Sequence, residues 1–454
     1  MSGKQKCFRH STPADARALA CTALQRIHEG IPVQAALNTL VSEASLSGRD
    51  TALCSELVYG TLRTEIRLRH ILGRVLPNPE KLPAEMQNML LVAAYCILFL
   101  QKIPDYASVD LCVDLCRRRF GLALSRVANG ALRSLIKLAP DTEALSFYMT
   151  VPSRGGKKAA DRAERAALSL FYAVPQWITD LWCSAYGRER ALSLLQRSFD
   201  KPAACLRVNP KKAEAAELRA ALQASPDLLM SINGDGFAFA SGRLPAELCG
   251  KSLDELTASG NITRQSAGSQ WIMSRLGCCG WQKPVCDLCC GQGGKTTYLL
   301  ERGVPVEFCA DIHRPRLRRL AAECGRLGLA VPSAAVLDAS MPSLRRWRGN
   351  ILLDVPCSGL GTLARRPDIR KNRSYGDLAA LTATQAALLE RAWSLLERGC
   401  ELAYVTCAVD PQENEKQAAA FLAAHADARL LCECMPPFEQ PCIEGMYGFT
   451  VAKV

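Results

Sequence analysis

Two cysteines stand where apolar runs open into polar turns: Cys357 in ILLDVPCSGLG (351–361) and Cys407 in ELAYVTCAVDPQEN (401–414). A short apolar run closed by such a turn reads as a buried strand reaching its carboxyl end. In an open α/β sheet those ends converge on one crevice, where ligands bind. Two thiols aimed into one crevice point to covalent chemistry, one sulfur attacking as thiolate while the other assists. The chain has 22 Cys in 454 residues, and most of them read as small buried hydrophobes. Context separates these two from the rest.

Metal binding is the rival use for so much sulfur. Cys286 and Cys289 form a lone C-x-x-C with Cys278 and Cys279 nearby, but no second pair follows at finger or ribbon spacing. No metal site is expected.

A second constellation lies in DLCCGQGGKTTYLL (287–300), which reads as a strand, a glycine-rich turn and a helix start. Gly291, Gly293 and Gly294 allow close backbone approach, and the helix start offers free N–H groups. The spacing matches neither a phosphate-binding Walker loop nor a G-x-G-x-x-G turn. Asp311 closes the next apolar run (VEFCAD), where a carboxylate can accept from ribose hydroxyls. Asp338 closes the one after it (SAAVLD) and can accept from an adenine amino group. Two carboxylates leave no room for a diphosphate. S-adenosylmethionine, whose sulfonium is a cation, fits this pocket better than NAD or ATP.

The elements that must hold these residues follow from periodicity. From about residue 265, strands are predicted at 284–289, 305–310, 332–337, 350–354 and 400–406. Helices are predicted near 295–302, 314–327, 377–398 and 412–425. That alternation means a parallel sheet with helices on both faces. Upstream, residues 11–140 read as consecutive helices. Ser11 or Thr12 can cap the first, with Pro13 in its first turn, and the apolar run 84–100 should be the central buried helix. The fold class is therefore multidomain. It comprises an all-α helical bundle (1–148), a linker (149–165) and a small α+β subdomain (166–262), then a Rossmann-like α/β catalytic domain (263–454). The small subdomain carries helices near 176–198 and 211–224 and an extended piece at 204–210.

Hydrophobic residues make up 49% of the chain, which excludes a disordered protein. The longest nearly apolar run, MLLVAAYCILFL (89–100), is too short to span a membrane, and the first residues lack a signal-peptide core. A soluble, monomeric, cytoplasmic protein with reduced thiols is expected. The formal net charge of +12 favours a polyanionic partner. Basic clusters at 316–326, 345–348 and 364–373 lie near the presumed crevice, and Arg117–Arg119 form another far from it.

The motifs DLCCGQGGKT, DVPCSGLG with RRPDIR, and VTCAVDPQENE resemble those of the RNA 5-methylcytosine methyltransferases of the Sun/Fmu superfamily. CLRVNP (205–210) and YGFTVAKV (447–454) resemble its flanking elements. The helical region, notably ELVYGTLR (56–63) and NGALR (129–133), is similar to a NusB-like RNA-binding domain. The resemblance implies Cys407 as the nucleophile at carbon 6 of cytosine and Cys357 as the thiol assisting product release. It implies Asp354 beside ring nitrogen 3 and the cofactor, with Cys289, Cys290, Gly291, Gln292, Gly293, Gly294 and Lys295 as the methionine-side cofactor loop. Asp311 and Asp338 would contact the ribose and adenine. A thiol with a resting pKa near ~8.5 needs positive potential to ionise, which Lys295 can supply.

Addition of the thiolate at carbon 6 makes carbon 5 enamine-like and able to take a methyl group. The base must leave any stack to reach the sulfur, so a single-stranded or flipped target is expected. The implied partner is 16S ribosomal RNA in unfolded or unassembled form. A transfer-RNA substrate and a non-catalytic assembly factor are the alternatives. The sequence departs from the family at Gly291 for Ala, Gln292 for Pro, Ala408 for Ser and Ser266 for Asp. Cofactor affinity is the property these changes bear on.

Overall fold

Apolar residues recur every three or four positions between residues 16 and 138, and in the computed structural model the described parts of that stretch form successive helices. Residues 15–44, 46–150, 156–340, 346–440 and 442–454 are described. The chain divides into two compact units, Met1–Gln176 and Trp177–Val454.

The first unit contains α1 (Ala16–His28), α2 (Val33–Ala44), α3 (Gly48–Val75), α4 (Ala84–Phe99), α5 (Asp105–Phe120), α6 (Leu122–Leu138) and α7 (Lys157–Phe171). Asp15 caps α1 by accepting from the Arg17 N–H, while the predicted start at Ser11, Thr12 and Pro13 lies outside the described residues. Every residue from Asn88 to Cys96 is buried, so α4 is the central helix its composition predicts. Helix α7 begins inside the segment read as a linker. Its alanine-rich sequence favours helix. Ala167 joins the bundle core and the Phe171 ring stands edge-on to Tyr148. Buried Arg67 fastens this end, donating to Tyr148 Oη (2.8 Å) and the Thr142 carbonyl (2.6 Å).

The second unit opens with α8 (Gln176–Phe199), predicted as one helix but broken at Gly187, whose φ of +77° is left-handed. There follow β1 (Ala204–Val208), α9 (Ala215–Gln223), β2 (Leu228–Ile232), β3 (Gly236–Phe239), the short pair β4 (Glu247–Leu248) and β5 (Lys251–Ser252), α10 (Leu253–Ala258) and β6 (Ile262–Arg264). Strands β2-β3-β1-β6 form a small sheet, covered by a core that includes Leu206, Leu218 and Phe237.

Then come α11 (Ala267–Arg275), β7 (Val285–Asp287), α12 (Gly294–Glu301), β8 (Val306–Asp311), α13 (Arg314–Leu327), β9 (Ser333–Val336), β10 (Asn350–Asp354), α14 (Ile369–Asn372), α15 (Tyr375–Leu395), β11 (Glu401–Thr406), α16 (Glu415–Ala424), β12 (Ala428–Cys434) and β13 (Tyr447–Lys453). The seven-stranded sheet has the order β12-β13-β11-β10-β7-β8-β9. Strands β7 to β11 are parallel, with apolar cores on both faces. The antiparallel pair β12–β13 extends the predicted five strands at one edge. β12 escapes pattern reading because it is an edge: adjacent Leu430 and Leu431 are both exposed, so no alternation shows.

Chain order fixes the crevice. The path runs β7, β8, β9 outward, then returns to place β10 on the other side of β7. Loops after β7 and β10 therefore diverge and leave a cleft between them.

Candidate active site

Strands β10 and β11 pair in parallel with Asp354 opposite Val405, so both chains leave the sheet at the same height. Cys357 and Cys407 follow within three residues, and their sulfurs lie 3.0 Å apart. The Cys407 N–H also donates to Cys357 Sγ at 3.3 Å. The turn after Cys357 is locked to the turn after Cys407, since the Gly361 N–H donates to the Cys407 carbonyl (3.0 Å). A Cβ on Gly361 would collide with the Gly445 carbonyl, so this approach requires glycine.

The DPQEN segment, quoted above only as a motif, is the scaffold beneath. The buried Glu413 carboxylate accepts from the Ser358 N–H and from Gln385 Nε2, both at 2.8 Å. Asn414 accepts from Thr406 Oγ1 (2.7 Å) and donates to the Ala408 carbonyl (3.1 Å). Trp182 on α8 donates to the Val409 carbonyl at 3.0 Å.

Electrostatics separate the two thiols. The hydrogen bond from Cys357 holds Cys407 below the ordinary thiol range, against burial and the charge of Asp354 and with help from Lys295 and Arg366. The same bond, together with burial, pushes Cys357 well above that range. Of the two sulfurs, Cys357 therefore holds its proton more tightly and Cys407 is the one that ionises first.

Lys295 Nζ sits 2.5 Å from Asp354 Oδ2, with the lysine side chain 11% and the carboxylate 31% exposed. Burial alone would discharge Lys295, but Asp354 and then the two sulfurs outweigh it, and the ammonium is favoured. Sequence reasoning named both residues without joining them. Behind them, Thr296 Oγ1 donates to Asp287 Oδ2 (2.7 Å), and burial raises this carboxyl to about 7.

On the other side of the cleft, Gly291 (φ +57°) and Gly293 (φ +88°) carry the turn into α12. A Cβ on Gly293 would strike the Leu320 side chain. Gln292, where the family has Pro, lies exposed at the tip of the turn. Buried Asp311 accepts from the Gly291 N–H (3.1 Å) and the His313 N–H (2.8 Å), so its carboxylate orders the glycine turn. Its Oδ2 also accepts from Arg316 Nη1 at 3.4 Å, so it is Oδ1 that keeps a lone pair for a ribose hydroxyl. Exposed Asp338 accepts at Oδ1 from Ser340 N–H and Oγ. It stands beside Asp311 because β9 pairs with β8. Exposed Ile312 and Val336 flank the two acids, apolar surface suited to a purine that the sequence reading overlooked. These groups fit an adenosine-bearing, cationic methyl donor.

Two of the predicted loop residues turn away from it. The Cys290 side chain packs in a core with Tyr298 and Cys309, and Cys289, raised by burial, packs against the opposite core. Apart from a 3.8 Å contact of Cys290 Sγ with the Gly291 carbonyl, they border the turn through their backbone. Among the described residues, no three His, Cys, Asp or Glu side chains are grouped to hold a metal ion. No helix there is long and apolar enough to cross a membrane.

The departure at Ser266 is explained by its geometry. Ser266 Oγ caps α11 by accepting from the Ser269 N–H, a task Ser and Asp perform alike. Neighbouring Gln265 donates to the Gly294 carbonyl (3.0 Å) and accepts from Arg207 (2.7 Å), tying the small sheet to the cofactor-side turn. Arg207 also forks onto buried Glu301 at 2.7 and 3.0 Å. The basic clusters divide. Arg326, Arg365 and Arg370 are committed to internal acceptors, whereas Arg318, Arg319, Arg366 and Lys371 are exposed.

Known proteins share this arrangement. Residues 281–443 match the family model described as 16S rRNA methyltransferase RsmB/F, residues 14–137 the NusB family, and residues 174–226 the ferredoxin-like domain of RsmF/B-like methyltransferases. The probable ribosomal RNA small subunit methyltransferase B of Synechocystis sp. is 31% identical over 420 residues, covering 90% of this chain and 88% of the relative. The ribosomal RNA small subunit methyltransferase B of Vibrio cholerae is 30% identical over 448 residues, covering 96% of both chains. A methyltransferase homolog from Pyrococcus horikoshii has a crystal structure similar over 64% of this chain and 99% of its own, with a TM-score of 0.54 and 22% identity. Its likeness speaks for the fold alone. With nearly a third of its residues shared along almost the full length of such relatives, this protein belongs to the ribosomal RNA small subunit methyltransferase B family.

Proposed function

We propose that this protein methylates carbon 5 of a cytosine in 16S ribosomal RNA, using S-adenosylmethionine and a transient bond from Cys407 to the base. The observation that carries the reading is the 3.0 Å approach of two unequal thiols beside a buried Lys295–Asp354 pair. Bound S-adenosylmethionine would supply an electrophilic methyl group. Gly291, Gly293 and Asp311 would hold its methionine and ribose portions, and Asp338 its adenine.

The chain's own residues do the rest. Cys407, the thiol that ionises first, adds as the thiolate to carbon 6 of the cytosine. Asp354 faces ring nitrogen 3, and Lys295 passes a proton through it as charge develops on the ring. After methylation a water takes the carbon 5 proton, the freed electron pair re-forms the 5,6 double bond and the C6–S bond breaks. Cys407 leaves as a thiolate stabilised by the Cys357 S–H, while Asp354 takes back the proton from nitrogen 3. The target base enters unstacked, since neither sulfur can reach it within a helix.

The test is to incubate the purified protein with S-adenosylmethionine and separate transcripts of 16S ribosomal RNA and transfer RNA, then map 5-methylcytosine by bisulfite sequencing. One modified cytosine in the ribosomal transcript is expected. Modification of transfer RNA alone would reassign the substrate. No cofactor binding by calorimetry at millimolar concentration would make the protein a non-catalytic RNA-binding factor.

A further inference from the structure

Arginine is the costliest side chain to leave buried without an acceptor, since its guanidinium stays charged. Buried arginines elsewhere in the second unit obey this rule. Arg207 holds Glu301, Arg365 donates to Glu444 and the Ala203 carbonyl, and Arg370 donates to the Leu363 and Ser198 carbonyls. Arg197, near the end of α8, does not. Its Nη1 is sealed from solvent and has no hydrogen-bond partner among the described residues. The closest committed carboxylate cannot serve it, because Glu444 already accepts from Arg365 and from the Gly268 N–H. Burial accordingly lowers the Arg197 pKa, against the pull of Glu444 and Glu439.

The guanidinium borders a recess of about 30 Å³, lined in part by Trp182, Ser198, Ala203, Leu360 and Gly361. That volume admits about two or three waters, at roughly 10–15 Å³ each. The place is not neutral ground. Leu360 and Gly361 lie in the turn that follows Cys357, and Gly361 bonds to the Cys407 carbonyl. Arg197 and Lys201 are the cations on its wall. The carboxylates there already accept, Asp200 from Gln196 and Glu444 from Arg365 and the Gly268 N–H.

We infer that the recess beside Arg197 is an anion subsite, which takes a phosphodiester oxygen of the RNA strand next to the target nucleotide. The inference rests on the RNA-methyltransferase reading and adds to it a positioning contact. A phosphate there would supply the acceptor that Arg197 lacks and fix the strand's register against the two thiols. Because the contact neutralises one phosphate, it should contribute about one unit to the salt slope of RNA binding.

The experiment measures affinity for a 16S ribosomal RNA transcript across salt concentrations, for the full-length protein and for Arg197→Gln and Arg197→Lys. Arg197→Gln should weaken binding about 5–10-fold at physiological salt and lower the slope by about one. It should raise KM for RNA while leaving kcat and S-adenosylmethionine affinity unchanged, with Arg197→Lys partly restoring the slope. Methylphosphonate substitution at the phosphates flanking the target, tested on wild-type protein, should abolish the same increment at one position. That arm reports even if Arg197→Gln fails to fold. Unchanged affinity and slope, or a fall in kcat alone, would overturn the subsite. So would protection by inorganic phosphate with no effect of any methylphosphonate, which would mark a free-phosphate site. A wild-type protein that binds RNA but never methylates it would instead refute the catalytic reading and leave the subsite standing.

Discussion

Hydrogen-bonded cysteine pairs occur in both units, and one pair from each unit shows how differently such pairs behave, for physical reasons. In α5 of the helical unit, Cys112 and Cys116 lie one turn apart and are both buried, with Cys116 3.8 Å from the Met89 sulfur. Their hydrogen bond raises one thiol and lowers the other, as it does for Cys357 and Cys407. By hydrogen bonding alone the pairs look alike. The difference lies around them. Cys112 and Cys116 are surrounded by leucine, valine and methionine side chains, whereas the second pair is half-buried at two strand ends beside Lys295 and Asp354. Thiol pairing creates a nucleophile only where a cation supports it and a substrate can reach it.

The sharpest break of this comparison is substitution. Cys407→Ser should lower methyl transfer at least ~10³-fold, measured with radiolabelled S-adenosylmethionine, because the hydroxyl is a far weaker nucleophile at neutral pH. Cys357→Ala should leave a protein–RNA adduct visible on a denaturing gel. Cys112→Ala should leave turnover intact and cost about 1 kcal/mol of stability by denaturant titration. Loss of methylation in Cys112→Ala with an unaltered denaturation midpoint would erase the distinction.

Buried carboxylates carry the comparison into pH. In the helical unit burial would raise Glu65, but His28 and Arg69 outweigh it and hold the carboxyl low. Asp287, with no cation bonded to it, is raised by burial from 3.8 to about 7. An acid whose folded pKa is raised binds more protons folded than unfolded across that window. Its contribution to stability is therefore greatest below pH 4 and falls as pH rises to about 7. Asp287→Asn should remove that fall, gaining on the wild type by on the order of 3 kcal/mol between pH 4 and pH 7.5 in urea titrations. An unchanged wild-type-minus-variant difference would refute the assignment.

A smaller effect concerns Lys295. Lys295→Met removes the cation near Cys407, which favours the thiol over the thiolate, and iodoacetamide alkylation of that sulfur at pH 7 should slow roughly 10-fold. Cys112 should stay unmodified in both proteins until they unfold, as read by mass spectrometry.

The smallest effect compares glycines. Gly130 lies exposed in α6 with open space where a Cβ would stand, so Gly130→Ala should stabilise the protein by about 0.5–1 kcal/mol. Gly293→Ala should do the reverse and weaken cofactor binding, because its φ of +88° and the Leu320 side chain both exclude a Cβ.

Much of this was legible beforehand, for a local reason. Apolar runs such as ILLDV and ELAYV end at Cys357 and Cys407 whatever surrounds them, and a glycine-rich turn followed by Lys-Thr starts a helix on its own chemistry. Those signals alone placed five parallel strands, the two thiols and the Asp311 and Asp338 carboxylates. Helix α7 and strand β12 escaped because helix-favouring residues lay next to a Gly-Gly and because an exposed edge needs no alternation. Tertiary structure alone decided the pairing of Lys295 with Asp354, the scaffold built on Glu413 and Asn414, and the turning of Cys289 and Cys290 into the cores. It also decided which thiol ionises more readily. The Lys295–Asp354, Cys357–Cys407 and Ser358–Glu413 contacts depend on strand order and register, which bring together residues 50 or more positions apart. Residue type can nominate them, but only the folded sheet sets the distance at which their charges and hydrogen bonds act.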